Sequence, residues 1–211
     1  MWLVASINIP NYFKTLSYHH LKVITSEAIE YDQKEALQQA SLAEALIITS
    51  QEAVKFFAPV LKHLEPKKTI FCSGPSTLNA LKAIYCGEFI LPKSYDQEGL
   101  AHVILESGLE RFFYPKAKIT REFLIETLEK NRKSVCSMLC YQTLPIKCDL
   151  SGLKGITGHY FGSKSCVEAY FQSGGKLYSD IVIVPGHVTK NTVESFYGKS
   201  LKILLLEFSH T

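Results

Sequence analysis

Ala45-Leu-Ile-Ile-Thr49 is a short apolar run, and from Ser50 to Leu64 the residues Val54, Phe57, Val60, Leu61 and Leu64 recur at helical spacing. The pattern predicts a strand feeding a helix, with Thr49 and Glu52 in capping-box positions. The same rhythm follows: Thr69–Cys72 as a strand, Ser73-Gly-Pro-Ser-Thr77 as a tight turn, and Leu78–Cys86 as a helix. Glu88–Leu91, Arg111–Tyr114 and an alternating Ser134–Thr143 read as strands, with helices over Asp96–Ser107 and Thr120–Asn131 between them. After Pro145 the scheme restarts with a strand over Gly155–Phe161, a helix over Lys164–Gln172 and a strand over Asp180–Val184. Pro185-Gly-His-Val-Thr189 then opens a helix to Tyr197, and Leu201–Phe208 is a last strand. Strands separated by helices predict mostly parallel sheets covered on both faces.

The two halves repeat one unit. Ser50 and Thr77 stand 27 positions apart and Ser163 and Thr189 stand 26 apart, with a glycine, Gly74 or Gly186, three residues before each threonine. The C-terminal half has too few elements for a doubly wound sheet of its own. The N-terminal segment, read as a strand over Trp2–Asn8 and a helix over Pro10–Leu21, would complete it. The expected architecture is α/β: two flavodoxin-like lobes with mostly parallel sheets, joined by a two-stranded linker. Residues 1–25 plus 146–211 form one discontinuous lobe and 30–140 the other, with 26–29 and 141–145 as the linkers.

Composition narrows the function classes. Of 211 residues, 46% are hydrophobic and 20% charged, far from the signature of disorder. No apolar run approaches a membrane span, and Met-Trp-Leu-Val-Ala reaches Asn8 without a basic segment and apolar core, so neither membrane residence nor a signal peptide is expected. The six cysteines form no C-x-x-C pair and sit largely in apolar segments, as in a cytoplasmic protein. Cys136 and Cys140 lie on a predicted strand without zinc spacing, so no metal is expected. The net charge of +3 is scattered, which does not imply nucleic acid and suits a small anionic ligand.

Helix N-termini with adjacent hydroxyls bind carboxylate or phosphate, because unpaired N–H groups and the helix dipole both favour negative charge. Thr49, Ser50, Gly74, Ser76 and Thr77 in one half, and Ser163, Ser165, Gly186, His187 and Thr189 in the other, are candidate anion-binding residues. Any one of these hydroxyls alone would be an ordinary cap; their placement at equivalent strand ends favours a site. P-loop, nucleophile-elbow and dinucleotide fingerprints are absent. His19 and His20 point different ways on a helix, leaving His187 as the histidine near the site. Tyr141, at the end of an alternating strand, could donate a hydrogen bond into it or simply pack there.

Ile-Ile-Thr-Ser-Gln-Glu-Ala-Val, Ser-Gly-Pro-Ser-Thr-Leu-Asn-Ala-Leu, Cys-Tyr-Gln-Thr and Pro-Gly-His-Val-Thr resemble, in order and spacing, the recurring segments of uroporphyrinogen-III synthases. The resemblance implies a cofactor-free, monomeric enzyme acting on hydroxymethylbilane, a linear tetrapyrrole. It would expel water, invert the last pyrrole ring and close the macrocycle. It also implies a substrate held between two lobes through main-chain amides and hydroxyls. Tyr141 then matches the tyrosine that assists departure of the hydroxyl, and Ser50, Thr77, Ser163 and Thr189 match polar positions of the cleft. Two departures stand out: Ser6-Ile7-Asn8 offers no arginine after the first strand, and no final helix follows Leu201–Phe208. A two-lobed binding protein for an anionic small molecule and a flavodoxin-like regulatory domain remain as alternatives.

Overall fold

The computed structural model describes residues 1–7, 9, 13, 15–198 and 201–206. Ala45–Ile48 (β4) is buried along its whole length, which only a strand with both faces covered can be. Around it runs a six-stranded sheet made with Ile24–Ala28 (β3), Thr69–Cys72 (β5), Glu88–Ile90 (β6), Arg111–Ala117 (β7) and Ser134–Pro145 (β8). The order is β3-β8-β7-β4-β5-β6. From β4 the chain winds outward through β5 to β6, then returns to the other side of β4 for β7 and β8, all in parallel register. The strand order therefore reverses between β4 and β7, the topological switch point of a doubly wound sheet.

Alternation along the strands sorts the side chains between two cores. Leu46, Ile48, Ile70, Cys72 and Phe113 face Gln33–Leu42 (α1), Gln51–Leu61 (α2) and Pro75–Lys82 (α3). Ala45, Ile47, Phe71, Phe112 and Tyr114 face Gln97–Glu106 (α4) and Phe123–Lys130 (α5).

The second sheet is built from Trp2–Ala5 (β1), Tyr18–Leu21 (β2), Gly158–Phe161 (β9), Ile181–Val184 (β10) and Lys202–Leu205 (β11), in the order β11-β10-β9-β1-β2. Its strands are parallel too. Counted from β9, this is the order of the first sheet counted from β4, so the N-terminal strands complete a circularly permuted copy of the same winding. Lys164–Gln172 (α6) and His187–Tyr197 (α7) cover one face, over Leu3, Ala5, Phe161, Val182 and Val184. The other face carries Val4 and Tyr160 with Phe13, Trp2, Ile9, Tyr18, Ile183 and Leu206, and no α-helix among the described residues. The chain divides into two compact units, Met1–Thr25 with Thr143–Thr211, and Ser26–Gln142. Among the described residues no helix is long and apolar enough to cross a membrane.

Four local expectations are corrected. Within the expected helix over Pro10–Leu21, residues 10–12 and 14 lie outside the described residues and Tyr18–Leu21 is a strand, so His19 and His20 are strand residues. Trp2 pairs with Tyr18 and Ala5 with Leu21, so an available edge on β1 overrides the local spacing. The first strand ends at Ala5 and the last covers Lys202–Leu205; Asn8, Glu207 and Phe208 lie outside the described residues. The strand expected from Gly155 begins at Gly158.

One core residue conflicts with its surroundings. His159 occupies the position on β9 that Leu46 holds on β4, is fully buried, and stacks between the rings of Phe161 and Tyr178. Its Nε2 accepts the Tyr178 N–H at 3.3 Å, which leaves the proton on Nδ1, an atom with no hydrogen-bond partner among the described residues. Burial lowers its pKa from 6.5 to about 4. Between those values the unfolded chain binds the extra proton, so stability is complete above 6.5 and falls as the pH drops towards 4, by on the order of 3 kcal/mol. Urea unfolding at pH 7 and pH 4.5 should show this loss in the parent and a smaller one in His159→Leu; equal losses would remove His159 as the source.

Candidate functional site

The site is built at the carboxyl ends of the strands, where the winding reverses. β4 ends at Ile48, and alternation sends Thr49 towards the α4 and α5 face and Ser50 towards the α2 face. Each hydroxyl meets a tyrosine. Thr49 Oγ1 lies 3.1 Å from the Tyr114 hydroxyl on β7, and Ser50 Oγ lies 2.8 Å from the Tyr141 hydroxyl on β8.

Ser50 is also the N-cap of α2. Its backbone is extended, and its Oγ accepts the Ala53 N–H at 2.9 Å. The cap is therefore Ser50, not the Thr49–Glu52 box expected from the sequence. Thr49 instead exposes its carbonyl to Ser73, whose Oγ donates to it at 2.8 Å and lies 3.5 Å from Thr77 Oγ1. The turns after β4 and β5 are thereby tied together.

Tyr141 reaches Ser50 because β8 is irregular. Pro115 pairs with Met138 and Lys116 with Leu139, but Ala117 pairs with Tyr141, so Cys140 is an extra residue. Regular alternation would place Tyr141 opposite Met138 and Cys140; the bulge turns it onto their face, into the core under α2. There it is 7% exposed and stacked on Phe56 at 5.7 Å between ring centroids. Burial, moderated by the Ser50 hydrogen bond, pushes its pKa up to about 12, so at neutral pH it is a protonated phenol and a hydrogen-bond donor. Since Ser50 Oγ already accepts from Ala53, its own hydrogen can go to the Tyr141 oxygen, leaving the phenol hydrogen for a ligand.

The helix starts come in two matched kinds. Ser50 and Ser163 cap α2 and α6 with their own hydroxyls, in near-identical extended conformations. Ser163 Oγ accepts the Cys166 N–H at 3.3 Å. Gly74 and Gly186 cap α3 and α7 with no side-chain bond. Thr77 and Thr189 are not caps, as the sequence suggested; each lies inside the first turn, buried to 3% and 5% exposure. Ser76, Ser165 and His187 are exposed first-turn residues. Among these helix starts, that of α3 is covered by the Tyr95 ring, 3.6 Å from where a Cβ on Gly74 would stand, whereas nothing lies within 4 Å of the same point on Gly186.

Among the described residues the pair of tyrosine contacts is not repeated in the other unit. Gly162 stands where Thr49 would, and a Cβ there would approach the Ser6 Cβ to 2.9 Å. The Ser6 carbonyl is instead 2.9 Å from His20 Nε2 on β2. Sequence reasoning missed Tyr114 and Ser73. The signal was present for Tyr114, which shares the parity of Phe112 and so the face that Thr49 continues. Among the described residues no group of His, Cys, Asp and Glu is placed to hold a metal ion.

Fold and site together define a class: α/β proteins of two parallel-sheet units, with hydroxyl- and glycine-capped helix starts at the strand ends. The family model for Uroporphyrinogen-III synthase HemD matches residues 19–200, and the chain belongs to that family, of cofactor-free, lyase-type enzymes of porphyrin and haem biosynthesis. Two solved structures share the fold. A mutant uroporphyrinogen III synthase from the extremely thermophilic bacterium Thermus thermophilus superposes with a TM-score of 0.63 at 15% identity, covering 98% of this chain and 92% of that one. The uroporphyrinogen-III synthetase from Helicobacter pylori gives 0.63 at 16% identity, covering 96% and 91%. No curated protein matches the chain significantly.

The double duty of Ser50 gives a direct test. Ser50→Ala removes both the cap and the partner of a buried phenol, and should lower the unfolding free energy by about 1–2 kcal/mol in urea titration. A variant as stable as the parent would show that the Ser50 bonds contribute nothing net.

Proposed function

We propose that the chain converts hydroxymethylbilane to uroporphyrinogen III, with Tyr141 as the catalytic residue. The family membership supports the reaction, and one observation supports the residue: a buried phenol that stays protonated, held 2.8 Å from the hydroxyl that caps α2. In this reading the nitrogen of the pyrrole that bears the hydroxymethyl group expels the substrate hydroxyl. The Tyr141 O–H donates a hydrogen bond to the departing oxygen and stabilises the charge that develops on it. The hydroxyl leaves as water with the N–H proton of the ring that expelled it. The azafulvene-like carbon left there is attacked by the substituted position of the terminal ring at the other end of the chain. The older methylene bond at that position then breaks, and the methylene rejoins at the ring's unsubstituted position with loss of its proton, which inverts the ring and closes the macrocycle. Bond formation there is chiefly a matter of holding the substrate in the bent geometry and keeping solvent from the electrophile.

The substrate carries acetate and propionate groups, and helix starts suit them. We assign their binding to the amides and hydroxyls around Thr49, Ser50, Gly74, Ser76 and Thr77, and around Ser163, Ser165, Gly186, His187 and Thr189. Thr77 and Thr189 are nearly closed off, so within this reading their role is to fix the first turn, while neighbouring amides meet the ligand. The lobes are taken as 1–25 plus 146–211 and 30–140, with 26–29 and 141–145 as a two-stranded linker. The enzyme is taken to act as a monomer in the cytoplasm.

The test supplies freshly generated hydroxymethylbilane and separates the uroporphyrin isomers after oxidation. Isomer III should dominate; isomer I alone, the product of uncatalysed closure, would refute the enzymatic reading. Tyr141→Phe should lower kcat for isomer III by roughly a hundredfold, the scale for one lost donor to a developing oxyanion. An unchanged rate would take Tyr141 out of the mechanism and leave the reaction standing. With the Tyr141 pKa near 12, the rate should show no loss attributable to this phenol as pH rises from 7 to 9. Deprotonation of a phenol at its ordinary value of 10.0 would already be felt at the upper end of that range.

A further inference from the structure

The turn Thr49-Ser50 is held from both faces of the sheet, and only one of the two tyrosines involved has a part in the reaction as read above. Tyr114 is 1% exposed, its ring is packed in the core under α4 and α5, and its hydroxyl meets Thr49 Oγ1 at 3.1 Å. It stands on β7, across the switch point from β4. A phenylalanine would fill the same apolar space, as Phe112 does two residues earlier on that face, so packing alone does not call for the hydroxyl. The hydroxyl's partner is the residue before Ser50, and Ser73 fixes that same residue by its carbonyl. Thr49 is thus tied by side chain to the middle of β7 and by main chain to the turn after β5, and Ser50, the next residue, takes its place from it. The Tyr114 hydroxyl is also close enough to Tyr141 to disfavour ionisation of that phenol.

We infer that Tyr114 is a positioning residue for the reaction: through Thr49 it sets the placement of Ser50, and through Ser50 the direction in which the Tyr141 hydroxyl points. This rests on the catalytic assignment of Tyr141. No bond is made or broken at Tyr114. Removing its hydroxyl lets the Thr49 side chain rotate and the turn relax, while the fold keeps its apolar core.

The test is a double-mutant cycle with Tyr114→Phe and Tyr141→Phe, in which kcat and KM for isomer III formation are measured beside the thermal midpoint of each variant. Tyr114→Phe alone should lower kcat about fivefold, the value of one neutral hydrogen bond, with KM within about twofold. In the Tyr141→Phe background it should have no further effect, because the group it aims is gone. A purely structural hydroxyl would instead give the same loss in both backgrounds, or a change in thermal midpoint without a change in kcat; either overturns the inference. A Tyr141→Phe enzyme as fast as the parent overturns the catalytic assignment, and the positioning role with it. A slow Tyr141→Phe enzyme with an additive Tyr114→Phe overturns the positioning role alone. Should Tyr114→Phe fail to fold, Ser73→Ala, which releases Thr49 from the other side, is expected to give the same loss of kcat and the same silence in the Tyr141→Phe background; additivity there counts equally against the inference.

Discussion

The structure of the Ser26–Gln142 unit depends on the burial of one four-residue strand on both faces. Ala45, Leu46, Ile47 and Ile48 have no exposed side, so helices must cover the sheet above and below, and the strand must lie inside it. Its next two residues are the first that can be polar, and they inherit its alternation. Thr49 and Ser50 therefore point to opposite faces, each into the rim of an apolar core, where an unpaired hydroxyl would be costly. The tyrosines answer that cost. Each puts a large ring in the core and a hydroxyl at its edge, so the demand for satisfied polar groups brings the site together.

Ser50 serves the helix and the site with the same oxygen. It accepts an α2 amide and contacts the Tyr141 phenol. The ring of Phe56, in the second turn of that helix, stacks on Tyr141 as well. The other unit uses the same two kinds of cap and, among its described residues, lacks the tyrosine contacts: Ser6 closes in on Gly162, where a side chain like that of Thr49 would need room. One winding thus supports two chemically different edges.

Most of the strands and helices were legible because their signals are local. Ala45–Ile48 is too apolar to be anything but a central strand, and the spacing of Val54, Phe57, Val60 and Leu61 marks α2. The Tyr18–Leu21 strand was not legible, since its identity depends on an open edge of β1 that only the assembled sheet offers. Ser50 and Ser163 are caps, as their hydroxyls allowed, but the Thr49–Glu52 box was off by one residue and Thr77 and Thr189 fall three residues past glycine caps, a scale that periodicity does not resolve. The Ser50–Tyr141 contact was beyond reach for another reason. Alternation counted along Ser134–Thr143 puts Tyr141 on the wrong face, and only the extra residue at Cys140 corrects the count.

The permuted winding also bears on how the chain is made. All strands of the sheet around β4 lie in one stretch of sequence, so that unit can close while later residues are still being synthesised. The other sheet cannot: Trp2 must wait for Gly158, its partner on β9, and β10 and β11 come later still. The loop that this pairing closes spans most of the chain, and its entropic cost is small only if the intervening residues are already compact. A nascent chain would then hold β1 paired with β2 alone, its β9-facing edge open, for most of its synthesis.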